Sequence, residues 1–269
     1  MAAPNYEQIQ SFDNVVSQLE QSALNEFAEY IYDGISREEV IQIAIEIAQK
    51  YSYYGAELGA QWYDLCSELA GFDLEPAELD LTSFDTLESR ASTFAADAES
   101  PTLLKSAFDV FLQNEINNSI RKTGSSNLWR DYQRGLVPGK WSRVPVGNAC
   151  AWCIMLASNG AWYKSKESAG ALDPDHYHSD CRCKAVYHAS PEDIKGYDNF
   201  SEYKHKYYEA ENTRLANSRG IEPYPDELAA RIQKAKEEHK AKFEAGEIDK
   251  PWTVYNEDLI LMRYKYGVS

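Results

Sequence analysis

The sequence predicts a predominantly helical α+β protein: a helical N-terminal layer (1–122), a small α+β Cys/His module (123–190) and a helical C-terminal extension (191–269). Three observations carry this. Apolar residues recur at helical spacing through the first 122 residues. Four of the five cysteines and two of the five histidines fall between Cys150 and Cys183, where short stretches alternate in character. After residue 190 the pattern returns to helix, now highly charged and poor in apolar positions.

The N-terminal layer is read element by element. Phe12, Val15, Val16, Leu19, Ala23, Phe27 and Ile31 form one helical face over Ser11 to Tyr32, ended by Gly34. Ser36-Arg-Glu-Glu39 is a capping box: the serine hydroxyl meets the first free amides and the glutamate reaches back. It starts a helix with Val40, Ile43, Ala44, Ile47, Tyr51, Leu58, Trp62, Leu65 and Leu69, running to about Gly71. Gly55 and Gly59, one turn apart, lower helix propensity, which points to another backbone packing close, with a simple kink as the alternative. Cys66 on this helix reads as a buried small hydrophobe. Phe72 to Asp80 is a loop and Phe84 to Ala98 a weaker helix. Ser100-Pro101 restarts a helix that continues to about Arg121, and Gly124-Ser-Ser-Asn is a break.

In the middle segment, Trp141 to Val146 is a short edge strand, Cys150 to Ser158 a helix opened by Gly147-Asn148, and Gly160 to Tyr163 a short aromatic strand. Lys164 to Asp175 is a loop and Cys181 to His188 the last strand. In the extension, Asn199 to Arg219 and Pro225 to Ala245 are charged helices that lean on something else, and Val254 to Tyr264 is a short segment that docks on this chain or on a neighbour. His188, His205 and His239 lie in polar surroundings and read as solvated.

Charge is uneven within the net −16. Residues 1–120 hold 22 acidic and 4 basic residues, 121–190 hold 5 and 10, and 191–269 hold 16 and 13. The acidic N-terminal part argues against DNA wrapping by that region, because phosphate contacts need Lys and Arg. No stretch has the length of a membrane-spanning helix, and Met1-Ala-Ala-Pro-Asn-Tyr reads as a plain cytosolic start. Neither a Gly-x-Ser-x-Gly elbow nor a Gly-rich phosphate loop occurs. No membrane and no small-molecule substrate are expected.

The chemistry is concentrated in Cys150-Ala-Trp-Cys153 and His176-Tyr-His178-Ser-Asp-Cys181-Arg-Cys183. A Cys-x-x-Cys at a helix start brings two sulfurs to one metal, and tetrahedral zinc needs two more ligands, at about 2.3 Å for sulfur and about 2.0–2.1 Å for nitrogen. Residues 181 and 183 share one face of a strand. The expected ligands of a structural Zn2+ are Cys150, Cys153, His178 and Cys181, with Cys183 as the substitute. A disulfide framework, a thioredoxin-like redox pair and a Cys–His nucleophile are the competing readings.

Trp141-Ser-Arg-Val-Pro, Cys150-Ala-Trp-Cys153-Ile-Met-Leu-Ala-Ser158, Gly160-Ala-Trp-Tyr163-Lys-Ser and His178-Ser-Asp-Cys181-Arg-Cys183 together resemble the Mu F-like head morphogenesis (minor capsid) proteins of tailed bacteriophages. That family has a Cys-x-x-Cys followed by a His-x-x-Cys-Arg-Cys. Trp62-Tyr63-Asp64 on its long helix resembles the helical region of such proteins from actinobacterial phages. His176, and Ser179 and Asp180 where the family often has proline and asparagine, are small departures. The resemblance implies a minor component of the virion head, made in the host cytoplasm and placed near the portal. It implies a part in head assembly or in DNA packaging and ejection. The implied partners are the portal protein, the major capsid or scaffold protein and packaged DNA, the last through residues 121–190. Some related proteins are labelled capsid maturation proteases, so a cysteine-dependent protease is the alternative. The residues offer no convincing catalytic set for it.

Overall fold

Helix α1 (Tyr6–Tyr30) begins on a capping box in which Asn5 and Gln8 exchange side-chain and backbone hydrogen bonds, both 2.9 Å. It starts five residues earlier than the apolar face alone indicates, because Asn5 supplies the acceptor for the free amides. Helix α2 (Arg37–Leu69) starts on the Ser36–Glu39 box read from the sequence. Helices α3 (Phe84–Ala96) and α4 (Pro101–Gln133) come next, then strand β1 (Trp141–Val144), α5 (Ala151–Ser158), strand β2 (Lys184–Tyr187), a 3-10 turn (Pro191–Asp193), and α6 (Asn199–Ser218), α7 (Asp226–Glu244) and α8 (Val254–Tyr266). This structure is a computed structural model and describes residues 2–32, 34–96, 101–147, 149–158, 160, 183–248 and 250–268. The expected strand over Gly160–Tyr163, apart from Gly160, and the loop over Lys164–Asp175 lie outside the described residues. Among the described residues the class is helical α+β, with eight α-helices and one two-stranded sheet.

Two compact units divide the chain: Met1–Val146 with Ala161–Gly196, and Gly147–Gly160 with Tyr197–Ser269. In the first, α1, α2, α3 and α4 share a core that includes Val16, Phe27, Ala44, Ala48, Leu87, Phe108, Phe111 and Ile116. Its axis is the α2–α4 pair. A Cβ placed on Gly55 would sit 2.9 Å from the Ile116 carbonyl oxygen, and one on Gly59 would sit 2.4 Å from that of Ile120. The two glycines therefore mark a close approach of backbones, the first of the two readings of their spacing.

Gly124 does not break a helix. Helix α4 runs through it without interruption, and a Cβ there would fall 2.0 Å from the Tyr187 hydroxyl. The sequence Gly-Ser-Ser-Asn looks like a loop, yet its glycine makes the notch that receives Tyr187. Strand β2 is thereby seated on the helical layer. It pairs antiparallel with β1, Trp141 opposite Tyr187 and Val144 opposite Lys184. Both strands are buried throughout rather than half-exposed. From α2, the Trp62 indole N–H donates to the Ala185 carbonyl at 2.7 Å, while its ring stacks on Phe12 with centroids 4.4 Å apart. From α1, Asp13 pairs with Lys184 at 2.9 Å, both nearly buried.

His188 is not solvated, contrary to the sequence reading; it is 5 % exposed. It closes β2 in a left-handed conformation (φ 63°) and donates its backbone N–H to the Lys140 carbonyl at 2.8 Å. Its ring lies between Tyr63 and Phe72, with Nε2 3.0 Å from Ser67 Oγ. Ser67 gives its own hydroxyl hydrogen to the Tyr63 carbonyl, so Nε2 is left to donate to Ser67. Nδ1 is buried with no hydrogen-bond partner among the described residues. Charging the ring would add a second N–H with nothing to receive it. Burial accordingly pushes the His188 pKa down to about 4, only partly opposed by the Asp131 charge. His205 is exposed, as read; His239 is partly buried, edge-on to Trp252 at 5.5 Å.

The second unit holds α5, α6, α7 and α8. Helix α5 is apolar on nearly every side, and six of its eight residues are buried. A helix hydrophobic all round must be covered all round, and α5 is covered by α6 and α8. The charged helices thus do have something to lean on. Buried Asp258 of α8 pairs with Arg214 of α6 at 2.7 Å, and α8 docks on its own chain, one of the two outcomes expected for that segment.

Replacing Gly59 by alanine raises helix propensity by about 1 kcal/mol, but the clash with Ile120 outweighs it. We expect a net loss of roughly 2–3 kcal/mol in urea unfolding, and a smaller loss for Gly55→Ala, where the contact is longer. Equal or stabilising effects would mean that α2 and α4 do not touch there. The His188 pKa is lower folded than unfolded, so its stabilising contribution is complete above about pH 6.5 and is lost as pH falls towards 4. The full loss is roughly 3 kcal/mol. In urea titrations at pH 7 and pH 5, His188→Asn, which tolerates the left-handed backbone, should flatten this part of the pH dependence. An unchanged slope would show that the imidazole is not the titrating group.

Candidate functional site

The Cys150–Cys183 segment is built on two local frameworks. Cys150 stands at the start of α5, and its sulfur accepts the Cys153 backbone N–H at 3.4 Å. The sulfur thus acts as the helix cap, taking one of the amides that a first turn leaves free. The three-residue spacing places both cysteines on the first turn, the arrangement that suits two ligands to one ion. Cys150 is 8 % exposed and Cys153 3 %. Both belong to the second compact unit.

Cys183, also 3 % exposed, immediately precedes β2 and belongs to the first unit. Its neighbour Lys184 is committed to Asp13. His178 and Cys181 lie outside the described residues; of the five expected ligands, Cys150 and Cys153 share the first turn of α5 and Cys183 stands just before the start of β2. Among the described residues no group of three or more His, Cys, Asp or Glu side chains is arranged to hold a metal. The donor types present, cysteine sulfurs at a helix start, suit zinc.

Cys66 matches its reading as a small hydrophobe. It is fully buried, and burial pushes its thiol pKa up to about 12. Such a thiol is inert at neutral pH, because the thiolate is the reactive form.

Sequence reasoning missed a polar cluster beneath the sheet. Tyr63 donates its hydroxyl to Asp131 at 2.8 Å, and Asp131 takes two guanidinium contacts from Arg130, at 2.8 and 3.2 Å. Tyr63 is driven far above the ordinary phenol range, first by burial and then by the Asp131 hydrogen bond. The cluster continues through the Tyr63 carbonyl and Ser67 to His188. Ser67 and His188 have the spacing of a nucleophile and its base, but both are buried and the serine proton is already donated to a carbonyl. This is a structural network. The adjacent Trp62-Tyr63-Asp64 was legible as a group; the hydrogen-bond partners of Trp62 and Tyr63, 123 and 68 residues away, were not.

No helix among the described residues is long and apolar enough to cross a membrane. Neither the curated proteins nor the solved structures contain a match to this chain. A family does match, over residues 3–210, which takes in the helical layer, the sheet, the cysteine segment and part of α6. The chain belongs to the VG15 protein family, a family of viral gene proteins, which points to a phage protein.

Proposed function

We propose that this protein is a minor head component of a tailed bacteriophage, acting in head morphogenesis near the portal. The observation that carries the reading is the ordered set Cys150-x-x-Cys153 and His178-x-x-Cys181-Arg-Cys183, inside a chain of viral family. Its similarity to the Mu F-like head proteins supplies the finer assignment. The partners are the portal protein, the major capsid or scaffold protein, and DNA through part of residues 121–190. Its place is the virion head, after synthesis in the host cytoplasm.

Within that reading, Cys150, Cys153, His178 and Cys181 hold a structural Zn2+, with Cys183 as the substitute ligand. The ion would supply cross-linking rather than chemistry. The helix α5 and the two four-residue strands are short elements, and short elements gain most from a fixed cross-link. Burial of Cys150, Cys153 and Cys183 supports the structural reading over a cysteine-dependent maturation protease, whose nucleophile must be a reachable thiolate.

Two measurements test this. Co-expression with the portal, scaffold and major capsid proteins of the same phage should give particles in which the chain cosediments at a small fraction of the major capsid protein. A chain that stays entirely at the top of the gradient would sink the head assignment. Elemental analysis of the purified protein should give one zinc per chain, and Cys150→Ser or Cys181→Ser should lose it and melt lower. Cys66→Ala should keep the metal. Metal-free protein whose two serine variants melt like the parent would remove zinc from the reading without touching the head assignment.

A further inference from the structure

Residues 72–83, between α2 and α3, have no regular structure and contain no buried side chain; Leu79 and Leu81 are exposed. Beyond Phe72, whose ring packs on His188, apolar contact does little to hold this stretch in place. Polar contacts do: Asp64 of α2 accepts the Ala77 amide at 3.0 Å, and the others are made with one face of α4. The Glu78 amide donates to Asn127 Oδ1 at 2.9 Å, and Asn127 Nδ2 returns a bond to the Glu78 carbonyl at 2.8 Å. The Asp80 amide donates to Thr123 Oγ1 at 3.2 Å, and Lys122 donates to the Leu81 carbonyl at 2.8 Å. The acids of the stretch then take the cations of the helix one by one. Asp80 pairs with Lys122 at 2.8 Å, Glu78 with Arg130 at 3.3 Å and Glu75 with Arg134 at 3.0 Å, while Ser126 donates to Asp80.

The helix face is unusual for this chain. Lys122, Ser126, Arg130 and Arg134 succeed each other at four-residue spacing, one above the next along α4 and its C-terminal cap. No acidic residue occurs between Glu115 and Asp131, although residues 1–120 are strongly acidic. On the same helix Trp129 and Tyr132 are each more than a third exposed, their rings 5.7 Å apart. Facing it is Asp73-Leu-Glu75-Pro-Ala-Glu78-Leu-Asp80, an irregular segment bearing four acids and no base. A chain with negative charges at regular intervals, laid along a cationic and amide-rich face, has the chemistry of a nucleic-acid backbone.

We propose that this face of α4 binds single-stranded nucleic acid, and that residues 73–80 are an acidic strap that occupies it until a phosphodiester chain displaces it. The strap contacts are suited to exchange. Glu75 and Glu78 are three-quarters exposed, so their ion pairs are weak and screened by salt. A polyphosphate competing for the same cations gains from counterion release, and the exposed aromatic pair offers stacking to unpaired bases. The proposal goes beyond the proposed head function and is tested apart from it: failure to enter particles would sink the head assignment and leave the oligonucleotide result unaffected.

The test is fluorescence anisotropy of the full chain with a labelled 20-nucleotide thymidine strand, measured at several salt concentrations. Glu75→Gln/Glu78→Gln/Asp80→Asn should bind at least tenfold more tightly than the parent. Its log K should fall with log salt more steeply, by about 1.4 for the two cations freed outright, Lys122 and Arg134, Arg130 staying paired with Asp131. Adding Lys122→Gln/Arg134→Gln should abolish the gain. Glu29→Gln/Glu38→Gln/Glu227→Gln, which changes net charge equally at exposed positions elsewhere, should not reproduce it. If the triple variant folds poorly, the Glu75→Gln/Glu78→Gln pair should show a smaller gain in the same direction. A strap variant that binds no better than the parent overturns the proposal. So does an equal gain in the control, or a gain that persists without Lys122 and Arg134. Tighter binding of a 20-base-pair duplex than of the single strand overturns the assignment to single strands.

Discussion

The backbone contact between α2 and α4 at Gly55 and Gly59 is the constraint on which the first unit depends. Each glycine lowers helix propensity by about 1 kcal/mol relative to alanine. Two of them on one face persist because the helices approach until the Ile116 and Ile120 carbonyls fill the space a Cβ would need. Tertiary packing, not propensity, fixes the stability of helices this long. The close approach also governs the contacts further along the pair. One turn past Gly59 on α2 come Trp62 and Tyr63, the first reaching the Ala185 carbonyl and the second Asp131 of α4. On α4, Gly124 lies one turn past Ile120 and opens the notch for Tyr187. If the axes were further apart, the indole and the phenol would fall short of their partners together. The sheet is therefore positioned by the same contact that joins the helices.

Polar groups close this arrangement in a way that apolar packing would not. Lys184–Asp13 and Arg90–Glu115 tie distant segments with one partner of each nearly or fully buried. Burial pulls the Glu115 carboxyl upward and Arg90 pulls it back only in part. A buried pair is weak evidence for stability, since the lost hydration offsets most of the attraction, but removing one partner leaves a charge that nothing satisfies. The same holds in the second unit, where Asp258 is raised by burial and opposed by Arg214. Such pairs discriminate between registers. A strand shifted by one residue would turn Lys184 to the other face and break its pair with Asp13.

What could be read from the sequence was local. The Ser36–Glu39 box, the restart of α4 at Pro101, the helix at Cys150 and the two strands flanking it all depend on residues within a few positions of each other. So does the Asn5–Gln8 box, which the sequence displays and the apolar-face reading passed over because it begins before the first strongly periodic residue. The errors arise where a partner far along the chain decides. Gly124-Ser-Ser-Asn has the composition of a loop; Tyr187, 63 residues on, explains the glycine inside a helix, and Asp80 and Glu78 occupy Ser126 and Asn127. His188 comes directly after Tyr187 in a strand that alternates like an edge strand, yet its ring is enclosed by Tyr63, Ser67 and Phe72 from α2 and the loop beyond. For the candidate site, the donor types and the Cys150–Cys153 geometry were legible, because a three-residue spacing at a helix start has few realisations.

Charge shows why residue counts mislead in a chain of this kind. Residues 121–190 carry an excess of five cations, which reads as a surface for an anionic partner. The fold assigns several of them differently. Lys184 is locked to Asp13 where little solvent reaches, so a partner would have to break a nearly buried contact to use it. Arg130 is held on two sides, by Asp131 beneath and by Glu78 above. Lys122 and Arg134 are held from one side, in contacts open to water and salt. An ion pair constrains a cation in proportion to how thoroughly the pair is desolvated. Among the described residues, Lys122 and Arg134 remain within reach of a polyanion because their present partners sit on an irregular, unburied segment, and they lie on one helix face.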